Sequence, residues 1–329
     1  MGAGEGDGKR NFFGNIDRYD LKILMKRYGI GFVMLGMMGL LAIISPTFRT
    51  ASNLMNVLMQ VSINGVMAMG MLFVITAGGI DLSVSSMLAL SSVTIGLVLK
   101  STNSIVAACI AGGLFTTLFG LINGLVVAKY EVFPFVVTLA SQLVIRGTAY
   151  IISGGYSETL ANPDFKKIGA GKLFGTIPYP VIVLLVITIM VFILLHWTKF
   201  GRYIYSIGGN KNAATASGVN VFWTSVGSFV ISGFCAGIAG IILTSRITAA
   251  QPNIGIGYET DAIAACVIGG ASFSGGIGTV PGALMGIIII GLIYNGMNLV
   301  GISSHWQTVV KGLLIVAAVL LEKFLNKKK

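Results

Sequence analysis

Ten apolar runs follow one another along this chain, at 28–45, 59–79, 83–99, 104–128, 134–153, 179–197, 221–245, 260–277, 281–299 and 306–322. A helix needs about 20 mainly apolar residues to cross a hydrocarbon core about 30 Å thick. Lipid offers no hydrogen-bonding partner, so each run has to satisfy its own backbone as a helix. The expected fold is an all-α membrane protein, a polytopic bundle of about ten transmembrane helices. Only 10% of the residues are charged, too few to clothe a soluble catalytic domain. The organisation expected is a polar N-terminal segment, residues 1–27, followed by one transmembrane domain, residues 28–329.

The net charge of +11 raises the question of a nucleic-acid partner. Its distribution answers otherwise. With the N-terminus inside, fourteen Lys and Arg residues fall on the inner side and six on the outer, while Arg146 and Lys311 lie within spans. That asymmetry follows the positive-inside rule, places both termini in the cytoplasm and makes the charge a matter of topology. The first 27 residues carry no cleavable signal pattern. Phe12, Ile16, Tyr19 and Ile23 recur at helical steps opposite Lys22 and Lys26. They suit either a short helix lying on the inner leaflet or an ordinary charged tail. Cys109, Cys235 and Cys266 sit in apolar runs without metal or disulfide spacing and read as small core residues.

Two spans are broken, near Gly78–Asp81 and near Gly269–Gly278, and are candidates for re-entrant segments. Stretches 74–90 and 267–284 look faintly alike, as paired broken helices flanking a path would, or as shared composition would. Asp81 or Ser83 is placed to cap the helix after the first break. Asn53, Asn56 and Gln60 lie opposite Leu54, Val57, Leu58 and Val61, which suggests an interfacial lead-in to the second span. Gly120 with Gly124, Gly233 with Gly237 and Gly282 with Gly286 have the spacing of tight helix crossings. The ionisable residues Asp81, Arg146, Asp261 and Lys311 are costly in a span. They either line a polar path or pair within the bundle, or else cap helices and snorkel. Residues 154–178 form the longest outer loop, and 198–220 the longest inner one.

An enzyme reading finds little support. There is no His-Glu-x-x-His, and "GASFSGG" (270–276) lacks Gly-x-Ser-x-Gly, so Ser272 or Ser274 would have to find His305 unaided. No Gly-Lys-Ser/Thr occurs, so any ATP is hydrolysed on another subunit. No catalytic residue and no metal ligand are assigned.

One polar stretch interrupts the oil: "GGNKNAATASGVNV", residues 208–221. Asn210 can cap a helix whose body is Lys211–Ser217, and Gly218 can end it. Such a rod is roughly 10 Å long and too short to stand alone in water. Its small residues Ala213, Ala214 and Ala216 permit close approach in another protein's groove. The flanking "RYIYSIGG" and "VNVFW" tie it to a span on either side, so a force on the rod is expected to move both.

"KFGRYIYSIGGNKNAATASGVNV" (199–221) resembles the cytoplasmic coupling segment of ribose-type sugar ABC importer permeases. "VITAGGIDLSVSSMLAL", residues 250–286 and residues 295–322 resemble further signatures of that family, in order. The resemblance implies a homodimeric ten-span permease in a bacterial inner membrane. Its implied partners are a second copy of itself, a cytoplasmic ATPase with two nucleotide-binding domains, and an extracytoplasmic sugar-binding protein. ATP and Mg belong to the ATPase, and no cofactor to this chain. The implied cargo is a monosaccharide, ribose in the first instance. Gly208, Gly209, Asn210, Ala213, Ala214, Ser217 and Gly218 match the coupling segment; Lys211 and Asn212 are given no role. Asp81 and Ser83 match the first broken-helix signature, and Glu259 with Asp261 the acidic pair opening the eighth span. A neutral sugar needs only hydroxyls, amides and backbone along its path, which makes Gly78, Gly79, Asp81, Ser83, Ser272 and Ser274 the pathway candidates. Arg146, Glu259, Asp261 and Lys311 are structural or pathway charges. Arg49, Lys166, Lys167, Lys172 and Arg246 are candidates for docking acidic lobes of the binding protein. The alternatives are an ion-coupled secondary sugar transporter, with the intramembrane ionisable groups as a proton relay, and a passive channel.

Overall fold

The structure, a computed structural model, describes residues 18–326. Thirteen α-helices run through them: α1 (Arg18–Ile44), α2 (Ala51–Thr76), α3 (Val84–Thr102), α4 (Ile105–Tyr130), α5 (Pro134–Ser153), α6 (Pro163–Ala170), α7 (Tyr179–Trp197), α8 (Lys199–Gly209), α9 (Lys211–Ala216), α10 (Val221–Ile247), α11 (Tyr258–Ile268), α12 (Val280–Leu299) and α13 (Ser304–Asn326). Four two-residue strands make two antiparallel pairs. β1 (Glu158–Thr159) joins β4 (Ala249–Ala250), and β2 (Lys172–Leu173) joins β3 (Ile177–Pro178).

Helix starts follow local chemistry. The Ser104, Thr198, Asn220 and Thr279 side chains each accept a backbone N–H of the turn they precede, which satisfies an otherwise orphaned donor. Proline occupies the first turns of α5, α6, α7 and α12, where its missing N–H costs nothing.

Seven helices among the described residues are long and apolar enough to cross a membrane: α2, α3, α4, α5, α7, α10 and α12. The apolar part of α1, Gly29–Ile44, is shorter. The expected span 260–277 is not one helix. α11 stops at Ile268 after 11 residues, a length of about 16 Å that does not cross a core about 30 Å thick. The lead-in before the second span is no separate element, because α2 begins at Ala51 and takes it in. The boundary drawn at residue 28 falls inside α1. The expected inner-leaflet face of Phe12, Ile16, Tyr19 and Ile23 lies outside the described side chains.

The core gathers on α2, whose second half, from Val61 to Thr76, is buried throughout. α7, α10, α11 and α12 pack around it. The small-residue pairs lie at crossings. A methyl added at Gly120 or Gly124 would meet the α10 backbone at Phe229 or Val226, and one at Gly233 would meet Thr116 of α4. Gly282 and Gly286 bring α12 equally close to Gly269 and Ala265. Backbone contact of this kind is what holds helices together where water supplies no drive. Ile110, Leu114, Leu143 and Ile189 point outward from α4, α5 and α7.

The links sort to two ends of the bundle. At one lie 77–83, 131–133, 198–220 and 269–279, joined by Lys211 to Glu131, Tyr205 to Gly278 and Gly276 to Thr76. At the other lie 154–178 and the β1–β4 pair, with Lys100 bound to Glu158 and Asn162 to Asn103. Residues 154–178 are not a plain loop. Phe165 of α6 is buried, and its carbonyl and the Gly169 N–H both bond the Ser245 hydroxyl, which seats α6 on the end of α10.

Candidate functional site

The polar stretch forms a small helix standing on the first of these ends. Asn210 leaves the helix at φ −161°, and its side-chain oxygen accepts the Ala213 N–H at 3.0 Å. α9 ends at Ala216, one residue short of expectation, with Ser217 as its cap and Gly218 at φ +79°. Ala213, Ala216, Ser217 and Gly218 are exposed, as are Gly209 and Asn210. Ala214 is not: at 4% exposure it faces its own chain. It seats the helix and has no face left for a partner, which corrects the expectation for that residue. Lys211, given no role from sequence, reaches Glu131 between α4 and α5 at 2.7 Å. That ammonium holds the Glu131 carboxyl below its ordinary value, through the hydrogen bond and then through charge.

A second feature begins where α2 ends. Gly78 takes φ +87°, and the Gly79 N–H closes on the Val74 carbonyl at 2.8 Å, a helix stop that turns the chain back. The turn carries Asp81 to full burial. Its Oδ1 accepts the N–H and hydroxyl of Ser83, and its Oδ2 accepts the Ser232 hydroxyl at 2.9 Å. The Ser83 hydroxyl in turn accepts from Asn123 Nδ2 at 2.9 Å, and the Ser141 hydroxyl donates to Asn123 Oδ1. Ser83 does not cap α3: it precedes the helix in a helical conformation with no side-chain cap bond, and it is the Asp81 carboxylate that takes a backbone N–H, that of Ser83, where α3 begins. Asp81 also ties the 77–83 link to α4, α5 and α10. Asn123, Ser141 and Ser232 went unnoticed in the sequence, although each is a polar residue within an apolar run.

The third feature is an ion pair. Lys311 Nζ lies 2.8 Å from Asp261 Oδ1 and 2.9 Å from the Gly257 carbonyl oxygen. The Tyr294 hydroxyl donates to Oδ1 at 2.7 Å, and Asn64 Nδ2 to Oδ2 at 3.2 Å. The group staples α2, α11, α12 and α13 together. Arg146 spends its guanidinium on the Pro252 and Ile254 carbonyls, at 2.8 and 2.9 Å. Glu259 is buried, with Oε2 lacking a hydrogen-bond partner among the described residues. The four charges expected together therefore do three different things.

Ser272 is buried and Ser274 exposed, both in a turn where the Ser274 N–H donates to the Ser272 hydroxyl at 3.2 Å. His305 lies beyond the 20 residues of α12, about 30 Å of helix away, and no Ser/His pair forms. At the opposite end from α9, Arg49, Lys166, Lys167 and Lys172 are exposed and Arg246 is half-buried. Lys167 is bound to Asp164 at 2.6 Å, which holds its ammonium above the ordinary lysine value. A cleft of about 470 Å³ opens at that end beside Ser153, Tyr156, Ser157 and Glu158.

Residues 53–319, from the start of α2 into α13, match the family described as branched-chain amino acid transport system / permease component. The chain is 44% identical over 286 residues to the ribose import permease protein RbsC of Bacillus subtilis (strain 168), covering 86% of this chain and 88% of that one. It is 40% identical over 329 residues to the L-arabinose transport system permease protein AraH of Escherichia coli (strain K12), covering 99% and 97%. It is 38% identical over 311 residues to the D-allose transport system permease protein AlsC of the same strain, covering 94% and 95%. No solved structure gives a significant match. A multi-pass membrane protein with this match along most of its length belongs to the family of transport-system permease components.

Proposed function

We propose that this chain is the membrane permease of an ATP-driven importer that carries a monosaccharide, ribose in the first instance, across a bacterial inner membrane. The observation that supports this most is the 44% identity to a ribose import permease over 86% of the chain. On this reading the bundle makes ten crossings with both termini in the cytoplasm. The residues of α11 and the 269–279 link together make one of them. Two copies frame the path. A cytoplasmic ATPase with two nucleotide-binding domains holds ATP and Mg and takes α9 into a groove, against Ala213, Ala216, Ser217 and Gly218. A sugar-binding protein docks at the other end, against the basic residues around α6. Nucleotide binding draws the ATPase domains together, moves α9 and switches the bundle between outward and inward access. Gly78, Gly79, Asp81, Ser83, Ser272 and Ser274 stand as pathway candidates at the two links. The chain itself performs no chemistry.

The runner-up, an ion-coupled sugar transporter, needs carboxylates joined along a relay. Among the described residues, Asp81 and Asp261 lie in networks that share no member, which favours the importer. Uptake of labelled ribose, L-arabinose and D-allose into proteoliposomes is the test. The importer requires ATP, ATPase and binding protein together. Proton-driven uptake by this chain alone overturns it.

A further inference from the structure

Immediately before α9, three stretches of backbone meet with no side chain between them. The Gly276 N–H donates to the Thr76 carbonyl at 2.8 Å, joining the link after α11 to the end of α2. Gly208, in the last turn of α8, lies against the same bond: a methyl there would fall on the Thr76 oxygen and the Gly276 nitrogen. A methyl at Gly275 would lie 2.8 Å from the Gly208 Cα and 2.9 Å from the Gly78 Cα, and one at Gly276 would lie 2.9 Å from the Gly209 Cα. The Tyr205 hydroxyl, one turn back on α8, donates to the Gly278 carbonyl at 2.6 Å. Backbone packed on backbone has no rotamers with which to absorb a displacement, so it transmits one.

Along the chain this junction lies on the shorter of the two connections that α9 has to its neighbouring helices. Only Asn210 separates α8 from α9, whereas four residues, 217–220, separate α9 from α10. From the junction one strand of chain leads within five residues to the buried Asp81. Another leads back into α11, which carries Asp261. The two links that look alike in sequence are therefore held to each other and to α8 at a single place, and the route into the bundle does not depend on α7 and α10 being pushed together.

We propose that this glycine junction of Gly208, Gly275–Gly276 and Thr76–Gly78 is where motion of α9 enters the bundle, and that Tyr205 and Gly208 are positioning residues for coupled transport. The proposal rests on the importer reading. Its test uses the whole importer, this chain with its ATPase and binding protein, in proteoliposomes where labelled ribose uptake and ATP hydrolysis are read on the same vesicles. Tyr205→Phe removes one hydroxyl. Hydrolysis should stay within about twofold of the parent while sugar moved per ATP falls about fivefold, the scale of one lost hydrogen bond. Gly208→Ala should lower that ratio further with the ATPase still bound. Gly147→Ala, where a methyl meets nothing within 4 Å, should leave it unchanged. Parental ratios in both junction variants overturn the proposal, and so does a proportional fall of both activities, which marks a merely structural contact. If Gly208→Ala does not assemble, Tyr205→Phe decides alone. Parent vesicles without ATP-dependent uptake would sink the importer reading instead.

Discussion

Lys311→Met cuts the ion pair that staples α13 to the bundle while keeping the aliphatic stem in place. The Asp261 side chain is 3% exposed and that of Lys311 20%, so the carboxylate left behind stays in a dry setting. Removing one partner of a buried pair costs about 3–5 kcal/mol, because the other charge is left uncompensated. Tyr294 and Asn64 still donate to the carboxylate, which puts the cost at the lower end, about 3 kcal/mol. Asp261→Asn strands the ammonium instead, with the Gly257 carbonyl as its remaining acceptor, and should cost about as much. The double variant carries no charge at this site and should be more stable than either single one, a coupling of at least about 3 kcal/mol. Denaturant titration in mixed micelles, followed by tryptophan fluorescence, measures all four proteins. Losses that simply add in the double variant, or a Lys311→Met protein as stable as the parent, would refute the buried pair.

Three further outcomes are expected. Ala213→Arg and Ala216→Arg should fold at parental yield and lose co-purification with the ATPase, whereas Ala214→Arg should lower the yield of folded protein itself, since that Cβ is enclosed; ATPase retained by Ala213→Arg would remove the exposed face of α9 from the docking reading. Ser232→Ala leaves Asp81 Oδ2 without its hydroxyl donor, at a cost of about 1–3 kcal/mol, and should slow uptake; an unchanged rate and stability would show the 77–83 link to be indifferent to that bond. Because the Glu131 carboxyl is held below its ordinary value of 4.5, its contribution is present above that pH and is lost as pH falls through the lowered value. A spin label at the exposed Asn212 should then gain mobility on acidification, and at neutral pH in Glu131→Gln; equal mobility throughout would show that the clasp does not hold α9.

The limits of α5 and α7 are readable in the sequence to the residue, because an apolar run with proline at its start specifies a span by local chemistry alone. The small helix before α10 is readable for the same reason: asparagine, a short alanine-rich body and glycine carry their own start and stop signals. Legibility fails where partners are distant. Which acid meets Lys311, and which hydroxyls close on Asp81, depends on helices some 40 to 150 residues apart. The cap expected at Ser83 gave way because Asp81 drew the serine's N–H and hydroxyl to itself. The inward turn of Ala214 depends on how α9 seats on its own bundle, and periodicity over six residues cannot choose between outer and inner faces. The second break, expected over Gly269–Gly278, is a link of eleven residues, but where the flanking helix stops was not legible, since glycine-rich backbone reads the same whether it kinks a helix or leaves it.

Gly275 and Gly276 both hold positive φ, +83° and +73°, and both have foreign backbone where a Cβ would stand. Any L-amino acid there is refused twice, once by its own torsion and once by its neighbours. A second-site change that made room would not relax the torsion, and a local refolding that relaxed the torsion would not make room. Single-step drift therefore has no passable route through this corner. Substitution at either position should cost more than at a glycine that is only strained, such as Gly155, or only crowded, such as Gly208.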